Sequence, residues 1–74
     1  MKWNDVKSNE NLEELFDKNE KYLLFARKLN KNKNNYDVFL AYYSDLCKSW
    51  FGGGWYFNEL DIKKWVKVDM PKVE

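Results

Sequence analysis

Ser49–Phe57 reads SWFGGGWYF, five aromatic residues around three consecutive glycines. These are the only glycines in a chain of 74 residues. A phosphate-binding loop needs the spacing G-x-x-x-x-G-K-[ST], with backbone amides turned to the phosphates and a lysine behind them. GGGW supplies neither the lysine nor the hydroxyl. A dinucleotide fingerprint needs G-x-G-x-x-G opening a helix, whereas Trp55 opens a strand-like run. The stretch therefore predicts a glycine turn between core strands. Triple glycine also lets neighbouring aromatic rings pack close to the backbone. Strand alternation puts Trp55 and Phe57 on one face and Tyr56 on the other. Trp55 and Phe57 read as core, because few other large apolar residues are available for it.

Upstream of this turn, Tyr36–Leu46 (YDVFLAYYSDL) has the length and the Val, Phe and Tyr content of a long strand. Tyr36, Val38, Leu40 and Tyr42 share one face, and Asp37, Phe39, Ala41 and Tyr43 share the other. Apolar residues on both faces predict a central strand covered on both sides. Asn30–Asn35 (NKNKNN) predicts a hairpin turn, since asparagine tolerates left-handed backbone angles. Tyr22–Leu29 (YLLFARKL) reads as a second strand by its aromatic content, with helix as the alternative. Further upstream, Leu12, Leu15 and Phe16 recur at helical spacing. Ser8, Asn9 or Asn11 would cap that helix, and Asn11 with Glu14 approximates a capping box. The pattern fades at Asn19, which gives about two turns.

Downstream, Asn58–Lys64 (NELDIKK) reads as a polar turn or one helical turn. Trp65, Val66 and Val68 form a last short strand, stopped by Pro71. The reading is one domain over 1–74 with a frayed tail at 70–74. Its class is α+β: a three- or four-stranded antiparallel sheet with one short N-terminal helix. The strands are expected near 21–29, 36–46, 55–57 and 65–68.

The usual staples of a small scaffold are missing. Cys47 is the single cysteine, so no intramolecular disulfide forms, and the chain has no histidine. That removes the commonest zinc ligand and the commonest general base. Aromatic residues, 19% of the chain, must compensate. Each can bury roughly 150–250 Å². Thirteen basic and 12 acidic residues give a net charge of +1, without the basic excess of a dedicated nucleic-acid binder. One cysteine and no leader pattern predict a reducing, cytoplasmic setting. The apolar runs are too short for a membrane span.

Few residues offer chemistry. Glu59 and Asp61 are two apart, but paired acids in a turn read as solvated rather than as a metal or glycosidase pair. Cys47 has no histidine to activate it and reads as a buried structural cysteine. Lys28–Lys33, with Arg27 beside it, makes a basic hairpin tip. Trp50, Phe51, Trp55, Tyr56 and Phe57 could stack on single-stranded bases, with Lys48, Lys63 and Lys64 on phosphates. That spacing is not specific. No catalytic residue, cofactor or metal site is expected.

A wider pattern joins these parts. Trp3 and Val6 make an early W-x-x-V, and YLLFAR is a hydrophobic strand ending in a basic residue. Trp50 and Trp55 lie in a hairpin, and Trp65, Val68 and Pro71 close the chain. This resembles a family of small phage and prophage proteins known only as a domain of unknown function, which opens W-I-x-V and closes W-x-x-L-P. The chain departs from that family before its first strand, where NLEELFDKNEK replaces an L-P and a glycine turn. The resemblance implies a non-enzymatic protein that binds a host or phage protein, such as an inhibitor of CRISPR or another host defence. Hot-spot chemistry favours Tyr, Trp and Arg. The expected contacts are Tyr43, Trp50, Phe51 and Tyr56, with Arg27 as charged neighbour. A single-stranded nucleic-acid module is the alternative. Exposed aromatics or strand edges would also allow a homodimer.

Overall fold

The computed structural model describes residues 2–30 and 35–69. Within them the chain forms one antiparallel sheet of six strands. These are β1 (Asn4–Asp5), β2 (Lys21–Lys28), β3 (Asp37–Ser44), β4 (Ser49–Gly52), β5 (Trp55–Tyr56) and β6 (Leu60–Val68). The spatial order is β1-β6-β2-β3-β4-β5. Strands β2 to β5 are neighbours in sequence and in space. Strand β6 then returns to the free side of β2, and β1 pairs with β6. Besides a 3₁₀ turn at Phe57–Glu59, the described residues hold one helix, α1 (Leu12–Leu15).

This corrects the α+β expectation with three or four strands. The protein is a six-stranded antiparallel sheet carrying a single helical turn. Asn11 does cap that turn, its side chain accepting from the Glu13 amide at 3.0 Å. After Leu15 the backbone turns extended at Phe16, with φ −79° and ψ 140°, so the helix stops at half its expected length.

The missed strands have physical causes. Asn58–Lys64 is a 3₁₀ turn followed by the first half of β6, not a polar turn ahead of a short strand. In the β2–β6 ladder, Phe25 faces Lys64 while Ala26 faces Ile62, so Lys63 is an extra residue, a β-bulge. Leu60, Ile62 and Trp65 therefore point to one side at spacings of two and three. The bulge breaks the two-residue alternation that a strand search looks for. Strand β4 ends in the buried Gly52, and glycine lowers strand propensity. Its open backbone is used: a Cβ there would lie 2.8 Å from Leu60 Cδ1 and 2.9 Å from Leu24 Cδ1.

The glycine turn is present and joins β4 to β5. Gly52 pairs with Trp55, and the two residues between them, Gly53 and Gly54, have φ of 60° and 89°. Two successive positive φ values match the twist of flanking strands in a two-residue hairpin. The antiparallel pairing of β2 with β3 likewise makes a hairpin. Residues 31–34, on which most of the expected Asn30–Asn35 turn falls, and residues 70–74, the expected frayed tail, lie outside the described residues.

The main core cluster lies on one face of the sheet; Val66, also buried, is on the other. Tyr22, Leu24 and Ala26 of β2, Ala41 of β3, Trp50 of β4 and Leu60 of β6 cluster with Leu12 and Phe16 from the helical segment and with Phe57. Phe16 is the plug. Its ring stacks on Tyr22 at 3.8 Å and meets Trp50, Phe57 and Trp65 edge-on at 5.1–6.1 Å. The Tyr22 hydroxyl accepts from the Asp17 amide at 2.9 Å, tying the helix exit to the sheet. Burying a phenylalanine side chain contributes roughly 1.5–3 kcal/mol, and each aromatic pair about 0.5–1.5 kcal/mol more.

Candidate functional site

The opposite face of the same sheet has no covering element among the described residues. Period-two alternation places Leu23 and Phe25 of β2, Val38, Leu40 and Tyr42 of β3, Phe51 of β4, Tyr56 of β5 and Val66 and Val68 of β6 on it, with Lys21 of β2 opposite Val68. Val38 is 54% exposed, Leu40 47% and Tyr56 46%, while Val66 is buried at 8%. An antiparallel sheet with a solvated face normally alternates apolar with polar residues. This one is apolar on both faces. The expectation that β3 is covered on both sides is therefore corrected: β3 is interior in strand order, but helical cover exists on one side only.

The face is organised in rows across the strands. Val66, Leu23 and Leu40 form a central aliphatic row. Tyr42, Phe51 and Tyr56 form an aromatic row, with ring centroids 5.8 and 4.6 Å apart. Phe25 stacks on Tyr36 at 5.2 Å toward the other end. There Asp61 accepts from Arg27 Nε at 3.1 Å and from the Tyr36 hydroxyl at 2.9 Å, with Lys63 Nζ at 3.6 Å. Burial pushes the Asp61 carboxyl up, but the hydrogen bonds from Tyr36 and Arg27 and the Lys63 charge outweigh it and hold the group below the usual aspartate range. Lys64 on the same face pairs with Asp5 at 3.5 Å.

Of the residues expected as contacts, Phe51 and Tyr56 lie together on this face and Arg27 lies at its far end. Trp50 does not: it is 2% exposed and belongs to the core on the other face. Tyr43 is also on the core side, half-buried, against the edge of Trp50 and under Lys18 Nζ at 4.6 Å. Trp55 and Phe57 separate as well. Phe57 is buried, while Trp55 is 38% exposed with Lys28 Nζ 3.6 Å above its ring. Cys47 is exposed, not a buried structural cysteine, and sits in the β3–β4 turn. The sequence reading passed over Leu23, Phe25, Val38, Leu40, Tyr42 and Val66. For Val38, Leu40 and Tyr42 the signal was the apolar second face of Tyr36–Leu46, which was assigned to a covering layer.

Elsewhere on the described surface, a groove of about 520 Å³ runs between residues 6–13 and 57–62, with Asn9, Glu10, Asn11 and Asn58 around Leu60 and Ile62. It holds no cysteine or basic side chain. Another groove, about 200 Å³, lies by Lys18, Tyr43 and Lys48. Among the described residues no three His, Cys, Asp or Glu side chains converge as a metal site. No described helix is long and apolar enough to cross a membrane.

No protein-family model, curated protein or solved structure matches this chain. Of the positions that carry the resemblance to the phage-type family, Trp50 is in the core, and Val6 and Trp65 pack against it.

Proposed function

We propose that the protein works by protein–protein contact through the open sheet face, with no chemistry of its own. The observation that supports this reading is the charge-free centre of that face. Leu23, Val38, Leu40, Tyr42, Phe51 and Val66 form a continuous apolar and aromatic band of the kind that fills the middle of protein interfaces. Aromatic anchors flanked by a positioned arginine are also the residue types that dominate binding energy.

The same face argues against the nucleic-acid alternative. Phosphate binding draws on a marked excess of cations, yet Arg27 and Lys63 both contact Asp61 and Lys64 faces Asp5, three cations against two anions. Tyr42, Phe51 and Tyr56 lean on one another rather than standing apart as base platforms. On the resemblance alone, the proposed setting is the host-cell cytoplasm, with a phage-type protein that blocks a host defence such as CRISPR.

Affinity capture with the tagged protein and a Phe51→Ala/Tyr56→Ala variant tests the reading. A target retained by the wild type and lost by the folded variant supports it. A gel shift with single-stranded DNA or RNA at low salt, abolished by the same substitutions, would replace it with the nucleic-acid reading.

A further inference from the structure

We propose that the open face packs against the same face of a second copy, giving a two-fold dimer with one continuous core between two sheets. This rests on the reading of that face as a protein-contact surface, and it names the occupant.

Three observations point to a second copy. The first is layering. A sheet that is apolar on both faces needs a layer on each, and one helical turn covers only one. Two stacked sheets about 10 Å apart bury both inner faces. Edge-to-edge pairing is a poorer route, because the outermost strands β1 and β5 are two residues long.

The second is area. Four strands side by side at about 4.8 Å, each up to eight or nine residues at about 3.3 Å, give a face on the order of 400–500 Å² in projection. Side chains standing off the sheet raise the accessible area toward the roughly 800 Å² per partner of a standard interface.

The third is charge. The rim carries Arg27 and Lys63 on Asp61 and Lys64 on Asp5, so each of these cations has an anion beside it. A strongly basic partner would gain nothing from such a rim, and a strongly acidic one little. A two-fold rotation can set the cation of one pair against the anion of its equivalent, which makes the face complementary to itself. A net charge of +1 leaves little repulsion between copies.

Sedimentation equilibrium from about 5 to about 500 µM tests the proposal, since self-association follows mass action. The wild type is expected to rise from the monomer mass of 9.1 kDa toward twice that value. Leu40→Asp puts a carboxylate from each copy into the buried centre and is expected to weaken the dimer at least about 100-fold. Leu46→Asp is the control: Leu46 is 94% exposed but lies in the β3–β4 turn, off the face. It is expected to dimerise like the wild type. Far-UV circular dichroism must show both variants folded; if Leu40→Asp unfolds, Val38→Asn replaces it. A wild type that stays monomeric throughout overturns the proposal, as does a Leu40→Asp variant that dimerises normally. A monomeric wild type that captures a different protein, and loses it on Leu40→Asp, overturns the second copy while leaving the contact-surface reading standing. A monomer whose target binding ignores Leu40→Asp removes both.

Discussion

The two faces of this sheet have similar apolar content and different fates. One face holds Tyr22, Leu24, Ala41, Trp50 and Leu60, and a four-residue helix with Phe16 at its end closes over it. The other holds Leu23, Val38, Leu40, Tyr42 and Phe51, and no described element closes over it. The difference lies in what the chain can reach. Residues 6–20 form the one described segment long enough to fold back on the sheet, and Phe16, Tyr22 and Trp65 hold it to one side. Apolar patterning specifies that a face wants covering. It does not specify whether the cover is intramolecular.

Substitutions on the two faces should separate them most sharply. Phe16→Ala removes the ring that touches four other aromatics and is expected to cost about 3–5 kcal/mol. In a chain this short that approaches the whole stability, at roughly 0.05–0.15 kcal/mol per residue. Urea denaturation followed by tryptophan fluorescence would show it. A loss below 1 kcal/mol would mean that the covered face does not depend on its helical plug.

A smaller effect is expected at the turn that carries β5 back along β4. Gly53 has φ 60°, and a Cβ there would fall 2.5 Å from Phe39 Cδ1. Gly53→Ala should cost about 1–2 kcal/mol through backbone strain and a displaced ring. Gly54 has φ 89° and no heavy atom within 4 Å of its Cβ direction, so Gly54→Asn should cost less. Thermal melts of the two variants rank them directly. Phe39 packs against the core cluster, and equal melting temperatures would mean that its ring does not press on this turn.

On the open face, the Asp61 cluster predicts a modest, pH-dependent contribution. Asp61 is held below the usual aspartate range by its donors after burial has opposed them. A depressed folded-state value stabilises the fold above the unfolded value near 4, and the contribution disappears as pH falls through the folded value. Asp61→Asn should therefore lower stability by up to about 1 kcal/mol at pH 7 and by much less near pH 2. A gap between wild type and variant that widens on acidification would contradict the arrangement.

The smallest effect is expected at the centre of the open face. Leu40→Ser, measured at low micromolar protein, should change stability by no more than about 0.5 kcal/mol, because the side chain is 47% exposed. The same change would be costly at Leu24, which is fully buried. If Leu40→Ser costs as much as a core substitution in the monomer, the open face is covered within the chain and the comparison fails.

Particular residues show what could be read in advance. GGGW between aromatic runs was legible as a hairpin turn, because only glycine readily takes two successive positive φ values. Strand β3 was legible from its length and residue content, and β2 from its aromatic content, with helix as the alternative. Asn11 was legible as one of three candidate caps. Strand β6 was not, because the Lys63 bulge shifts its phase midway and makes Leu60, Ile62 and Trp65 look unlike a strand. Trp50 and Tyr56 could not be sorted by residue type, since both are large aromatics beside the same glycines. Register sorted them: Trp50 pairs with Tyr43 on the covered face, and Tyr56 pairs with Phe51 on the open one.

The chain by itself determined that it builds an aromatic-rich antiparallel sheet without disulfide or histidine, turning on its glycines, because composition, alternation and positive-φ demands are local properties. Tertiary structure alone decided how many strands the sheet has, which aromatics hold it together and which lie on the open face. Those outcomes depend on the bulge in β6, on the registers between strands and on the side to which Phe16 docks, all contacts between residues far apart in sequence.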